Sequence, residues 1–170
     1  MQSTLAFVGL GGNIGDSRSV LSVALEHIQA LEGVSELRAS HFYQTTPVSS
    51  IPQTDYINAV CALQTLYTAD ELLVNLQAIE RMLGKLPKEK DAPRILDLDI
   101  LFYGSHWIDH PELQVPHPRW KERLFVLKPL SDLVSEVNVP VAPGQVVSMC
   151  LDELLENFNN LHQEQVTIVA

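Results

Sequence analysis

An α+β fold, with an antiparallel sheet and helices packed against it, is predicted by three features of this chain. A short apolar run at its start ends in a cluster of glycines, Gly9-Leu10-Gly11-Gly12. Two stretches, residues 56–64 and 97–103, alternate with a period of two, as strands do. Other segments repeat Leu and Ile every three or four residues, the spacing of a half-buried helix.

Each element follows from its own residues. Residues 5–10 read as a buried strand running into a tight glycine turn through Gly15. Asp16 is placed to cap a helix whose Leu21, Leu25, Ile28 and Leu31 form one stripe, ending near Gly33. Residues 34–43 read as one strand, and Pro47 and Pro52 mark the loop after it. In the 56–64 strand, Ile57, Ala59, Cys61 and Leu63 share one face, and Tyr56, Asn58, Val60 and Ala62 the other. Thr68-Ala69-Asp70-Glu71 is a capping box. The helix it opens buries Leu72, Leu76, Ile79 and Leu83 and stops at Gly84.

A charged segment, residues 85–94, leads into Pro93-Arg94-Ile95-Leu96-Asp97-Leu98-Asp99 and a strand through Tyr103. A hairpin return is expected at residues 106–109. Val115-Pro116-His117-Pro118-Arg119 cannot be regular helix, because two prolines bracket the histidine. Helices are expected again over residues 124–133 and 148–158, and an edge strand over 166–169. The order β-α-β-β-α-β is the split arrangement of ferredoxin-like folds, with helices on one face and the other free for a site. No repeat or linker interrupts it, so residues 1–170 read as a single domain.

Composition narrows the function. The chain is 46% hydrophobic and 19% charged, which suits a folded domain, and its formal charge of −10 disfavours nucleic acid and anionic membrane as partners. Nine of its eleven Lys and Arg residues nevertheless fall between Arg81 and Lys128, a distribution suited to a small polyanion such as a nucleoside triphosphate. Cys61 and Cys150 sit far apart in apolar stretches and read as buried thiols of a reducing cytoplasm. The opening residues lack a basic stretch and no apolar run is long enough to span a bilayer, so neither signal peptide nor membrane span is expected.

The most informative residues are Asp97 and Asp99. On a strand they point to the same face with Leu101, roughly 6–7 Å apart, while Leu98, Ile100 and Phe102 point to the other. Two acids on an otherwise apolar strand are costly unless a cation lies between them, and Mg²⁺ takes one or two carboxylates beside water and phosphate oxygens. Arg94, where the chain enters the strand, can offer its planar fork to phosphate. A pair that merely faces solvent is an equal account of D-x-D alone.

Other features are weaker. Gly9-x-Gly11-Gly12-x-x-Gly15 imitates a dinucleotide fingerprint, but a tight strand-to-helix turn explains it better. Tyr56 and Asn58 share a strand face, where an aromatic and an amide can stack on and hydrogen-bond a heteroaromatic ring, or simply face solvent. His117, between its prolines, can reach a phosphate or be a surface turn histidine. Phe125 reads as core, and the other histidines as structural or surface residues.

Taken together, four segments resemble one family, the 6-hydroxymethyl-7,8-dihydropterin pyrophosphokinases of folate biosynthesis. They are Leu10-Gly11-Gly12-Asn13-Ile14-Gly15-Asp16; Phe42-Tyr43 through Tyr56-Ile57-Asn58-Ala59; Pro93-Arg94 through Asp97-Leu98-Asp99-Ile100-Leu101; and Val115-Pro116-His117-Pro118-Arg119 through Arg123 and Phe125. The resemblance covers about the first 135 residues. It implies transfer of pyrophosphate from ATP to the pterin hydroxymethyl group, releasing AMP. By resemblance, Asp97 and Asp99 bind two Mg²⁺ ions, and Arg94 and Arg123 join them as catalytic residues. Asn58 reads the pterin edge, helped by backbone near Thr45 and Val48, while Tyr56 and Phe125 stack on the ring. Gln77, Glu80, Lys85, Arg94, Ile100, His117, Arg119 and Arg123 contact the nucleotide.

The charged segment 85–92 is expected to close over ATP. The chain departs from the family pattern at Gly12, where serine is usual, at Gln44, Ser49 and Pro87, and at Asp91-Ala92 in the charged segment. A cytoplasmic monomer acting on small molecules is expected. Two other readings stay open: a paralogue using a different hydroxymethyl pterin, and a pterin- or nucleotide-binding module without turnover.

Overall fold

The structure, a computed structural model, describes residues 2–46, 53–85, 93–161 and 166–169. Strand β1 (Thr4–Gly12) is an inner strand of a sheet, antiparallel to β4 (Tyr56–Thr65) on one side and to β5 (Asp97–Tyr103) on the other. Beyond β4 come β3 (Phe42–Thr45) and then β10 (Val166–Val169), giving the order β10-β3-β4-β1-β5, while β2 (Val34–Ala39) also pairs with β4. Helices α1 (Ser17–Gln29) and α2 (Ala69–Met82) are the two crossovers, so the ferredoxin-like order holds.

Both helices begin as their sequences dictate. Asp16 accepts the Ser19 N–H, and Thr68 and Glu71 close a reciprocal capping box. Their apolar stripes, including Leu21, Ile28, Leu72, Leu76 and Ile79, pack on Ala6, Val8 and Leu10 of β1, Ala59, Cys61 and Leu63 of β4, and Leu98 and Ile100 of β5. The segment expected as one strand over 34–43 is instead β2 and β3, broken at Ser40. There the Ser40 N–H donates to the Val60 carbonyl at 2.8 Å and the Ser40 hydroxyl accepts the Val60 N–H at 2.9 Å, so the ladder to β4 survives the bend.

The second face of the sheet is not free. It carries its own core, in which Phe7, Val60, Ala62, Leu101 and Phe102 meet Trp120 and helix α3 (Leu124–Leu133). A hairpin of β8 (Glu136–Ala142) and β9 (Gln145–Cys150), together with α4 (Leu151–Leu161), adds Val137, Val139, Leu151 and Phe158. The hairpin replaces the first turn of the helix expected from residue 148. Its signal was present in the alternation of Val137, Val139 and Val141 before the Pro143-Gly144 turn. The hairpin return after β5 also sits later than expected, as β6 (Ile108–His110) and β7 (Leu113–Val115).

One irregularity divides β5. The β1–β5 register jumps between Phe7, opposite Phe102, and Val8, opposite Ile100. Leu101 is the extra residue of a bulge. Leu101 and Phe102 therefore both enter the second core, correcting the alternation expected for Phe102, while Tyr103 returns to the first. Asp97 and Asp99, below the bulge, keep the orientation opposite to Leu98 and Ile100.

Leu76 is fully buried in the helix-side core. Leu76→Ala is expected to lower the unfolding free energy by about 2–5 kcal/mol, read from urea denaturation. A loss below about 1 kcal/mol would mean that α2 does not seal this core.

Candidate active site

Beyond Val60 and Leu101 the second face passes from core to chemistry, and the sheet register decides what stands there. Gly11 pairs with Asn58 on one side and with Asp97 on the other, and Gly9 pairs with Val60 and with Asp99. Paired residues point the same way, so Asn58, Gly11 and Asp97 form one row across three strands, with Asp99 in the next. The glycines keep the middle strand bare between them. A Cβ on Gly11 would lie 2.6 Å from the Asn58 Oδ1, and one on Gly9 would touch the Leu101 side chain. The glycine-rich run is thus mostly strand rather than turn. Within it, only Gly15 adopts a positive φ, +68°.

Asn58 is buried, and its Nδ2 donates to the Thr45 hydroxyl at 2.9 Å, which fixes how its amide is turned. Thr45 is also buried. Tyr56 lies two residues away on the same strand face, at the end of β4. Val48 falls outside the described residues, as do most of the charged segment 85–92 and Ser49, Pro87, Asp91 and Ala92.

At the other end of the row the charges gather. Lys85 Nζ donates to the Asp97 Oδ1 at 2.8 Å and to the Glu80 Oε2 at 2.7 Å, and that Glu80 oxygen also accepts the Leu98 N–H at 2.9 Å. Burial works against the Lys85 charge, but the hydrogen bonds to Asp97 and Glu80 outweigh it and hold the ammonium above its ordinary value. Asp99 is exposed to solvent, yet desolvation by the protein around it pushes its carboxyl up to about 6. Asp97 and Glu80 add to that rise, and Arg123 and Lys85 oppose it.

Arg123 stands just before α3, with its guanidinium 5.4 Å from the centre of the Phe125 ring. His117 is held to β5 by its N–H on the Leu101 carbonyl at 3.0 Å. Burial, then Arg123 and Arg119, push its imidazole down to about 4, so it is neutral at pH 7. Its Nδ1 accepts the Arg119 N–H at 3.2 Å, which leaves the proton on Nε2 as a donor.

Not every expected residue joins this group. The Ile100 side chain is buried in the helix-side core, so only its backbone can face a ligand at the acids. Gln77 is exposed on α2, and Arg119 is exposed and paired with Glu122 at 3.4 Å. Arg94 is half-buried at the entrance to β5.

Asn13 is the residue whose importance the sequence concealed. It is buried, its N–H donates to the Arg94 carbonyl and its Oδ1 accepts the Arg94 N–H, both at 2.8 Å. Its Nδ2 reaches the Gln53 Oε1 at 2.6 Å and the Thr54 carbonyl at 3.0 Å, and its own carbonyl accepts the Thr54 hydroxyl. One asparagine thus ties the end of β1 to the approaches of both β4 and β5. A Cβ on the preceding Gly12 would run into the Ile95 carbonyl, so the backbone here leaves room for glycine alone.

The raised Asp99 value has a pH signature. Because it lies above the ordinary 3.8, the folded chain holds this proton more tightly than the unfolded chain. Its stabilising contribution is full below about pH 4 and is lost as pH rises through about 6. Metal-free wild-type protein should therefore lose urea resistance relative to Asp99→Asn across that window. Parallel pH profiles for the two proteins would contradict the assignment.

Beside this geometry, the likeness to known proteins is specific. A family model described as 7,8-dihydro-6-hydroxymethylpterin-pyrophosphokinase (HPPK) matches residues 7–135. The chain is 39% identical over 131 residues to the 2-amino-4-hydroxy-6-hydroxymethyldihydropteridine pyrophosphokinase of Synechocystis sp., covering 77% of this chain and 67% of that protein. To the protein of the same name from Methylorubrum extorquens it is 34% identical over 151 residues, covering 89% and 94%. The folic acid synthesis protein fol1 of Pneumocystis carinii is 37% identical over 142 residues, and the chain spans only 19% of its length. A Plasmodium falciparum HPPK-DHPS triple mutant crystallised with pteroate superposes with a TM-score of 0.70 over 94% of this chain and 42% of its own. At 14% identity that likeness concerns the fold. The chain belongs to the 7,8-dihydro-6-hydroxymethylpterin-pyrophosphokinase family.

Proposed function

We propose that this chain transfers pyrophosphate from ATP to the hydroxymethyl group of 6-hydroxymethyl-7,8-dihydropterin, giving the pterin diphosphate and AMP. The row Asn58–Gly11–Asp97 carries the reading. It sets an amide able to read a heterocycle edge and a carboxylate able to hold a metal–phosphate group on one bare strip of sheet.

The pterin hydroxyl oxygen forms a bond to the β-phosphorus of ATP and releases its proton to water, while the bond from that phosphorus to the α-phosphate oxygen breaks and AMP leaves with that oxygen. Such a transfer asks the protein for positioning and charge neutralisation more than for a covalent group. Asn58, fixed by Thr45, orients the ring, and Tyr56 and Phe125 supply its stacking surfaces. Arg123, beside Asp99, offsets charge building on the phosphate oxygens, and Arg94 adds a second guanidinium at the mouth of β5. Neutral His117 offers its Nε2–H to a phosphate oxygen. Gln77, Glu80, Lys85, Arg119 and the Ile100 backbone complete the nucleotide surroundings in this reading.

Asp97 and Asp99 fit Mg²⁺. They face one way from alternate positions of a strand, and the structure already sets the Lys85 cation against Asp97. Among the described residues no cluster of three or more His, Cys, Asp or Glu is placed to hold a metal, which suits an ion that keeps water and phosphate in its shell better than a closed protein cage. When bound, two such ions would neutralise the triphosphate and polarise the oxygens around the attacked phosphorus.

The same reading makes residues 1–170 a single catalytic domain and the protein a cytoplasmic monomer acting on small molecules. Its formal charge of −10 argues against nucleic acid and anionic membranes, and among the described residues no helix is long and apolar enough to cross a membrane.

With ATP, Mg²⁺ and the hydroxymethyl dihydropterin, pterin-dependent AMP should form, and Asp97→Ala should slow it about a thousandfold or more. ADP in place of AMP would contradict the attack at the β-phosphorus. Asn58→Ala should weaken pterin binding about tenfold to a hundredfold by calorimetry. Wild-type affinity would remove Asn58 from the pterin site.

A further inference from the structure

The contact between Lys85 and Asp97 is built into the fold. Gly84, at φ +99°, ends α2 in a left-handed turn, and the Lys85 N–H comes back to the Glu80 carbonyl at 2.9 Å. That turn throws the Lys85 side chain across to β5. There its ammonium bridges the Glu80 Oε2 at 2.7 Å and the Asp97 Oδ1 at 2.8 Å. Glu80 is itself pinned by the Leu98 N–H and has a side-chain exposure of only 7%. A buried carboxylate, a cation and the strand that carries the D-x-D pair are thus locked together.

We infer that Lys85 is a placeholder cation: it occupies the Asp97 carboxylate and gives it up when a divalent ion enters with the nucleotide. The inference rests on the reading of Asp97 and Asp99 as ligands of that ion. A divalent ion bound to the Asp97 Oδ1 at about 2.1 Å, with Lys85 still 2.8 Å from the same atom, would leave two cations within about 5 Å of each other. Glu80 gives the ammonium a second partner, so leaving Asp97 does not strand a charge in a buried place. The lysine keeps Asp97 and Glu80 from repelling each other in the free protein. It also makes the ion alone a poor ligand, so metal and nucleotide arrive together.

The test is a Mn²⁺ titration followed by electron paramagnetic resonance, without nucleotide and then with α,β-methylene-ATP. Without nucleotide, Lys85→Met should bind Mn²⁺ about tenfold more tightly than wild type, whereas Lys85→Arg should stay within about twofold. With the analogue present, the gap between Lys85→Met and wild type should narrow. If Lys85→Met gains no affinity while Asp97→Asn loses Mn²⁺ binding, the placeholder role is overturned and the metal site stands. If Asp97→Asn binds Mn²⁺ as wild type does, the metal site itself is wrong. The unmutated protein gives an independent check should Lys85→Met fail to fold. With ¹⁵N-labelled lysine, the Lys85 ammonium resonance should move when Mg²⁺ and the analogue are added together, and a stationary resonance would also overturn the inference.

Discussion

Two hydrogen atoms on Gly11 hold this site open. Any larger group at that position would meet the Asn58 amide, whose Oδ1 lies 2.6 Å from where a Cβ would stand. Because β1 lies between β4 and β5, its bare face is the floor on which a ligand can touch both neighbours at once. Asn58 and Asp97 face each other across that floor through backbone pairing, not through contacts of their own. Backbone ladders are rigid compared with loops, so the spacing between the Asn58 amide and the Asp97 carboxylate is set before any ligand arrives.

The rest of the molecule arranges charge around this floor. The bulge at Leu101 divides β5 into an acidic half and an apolar half, so one strand serves both the site and the second core. That core seats α3, and the residues entering α3 are Arg123 and Phe125. Asp132, near the far end of α3, accepts the Tyr43 hydroxyl at 2.7 Å and ties the helix to β3. The C-terminal turn of α2 supplies Glu80, and the chain just beyond it supplies Lys85. Asn13 holds the approaches to β4 and β5 against the end of β1. The end of α2 and the entry to α3 therefore bring their charged groups to the same strip.

Much of this was legible in the residues. The capping box at Thr68 and the alternation from Tyr56 to Gln64 are local patterns with local causes, and they came out as expected. So did the orientation of Asp97 and Asp99, because period two holds until the bulge. What failed depended on partners distant in sequence. The break at Ser40 exists because its hydroxyl can replace a ladder partner for Val60, and the shift at Leu101 depends on pairing with β1. Gly11 looked like a turn residue because glycine is permissive in both roles, and only the register shows that it continues the strand and, with Gly9, clears a surface. Asn13 carried no periodic signal at all, since its partners lie about 40 and 81 residues away.

If the bare strip binds the heterocycle, Gly11→Ala strikes it most directly. One methyl group is added where the Asn58 oxygen already lies, leaving both hydrophobic cores untouched. Calorimetry of 6-hydroxymethyl-7,8-dihydropterin binding to wild type and variant, with circular dichroism confirming an intact fold, is the measurement. The expected result is an affinity loss of about tenfold or more with the fold retained. Wild-type affinity in a folded Gly11→Ala protein would show that the ligand does not lie between Asn58 and Asp97.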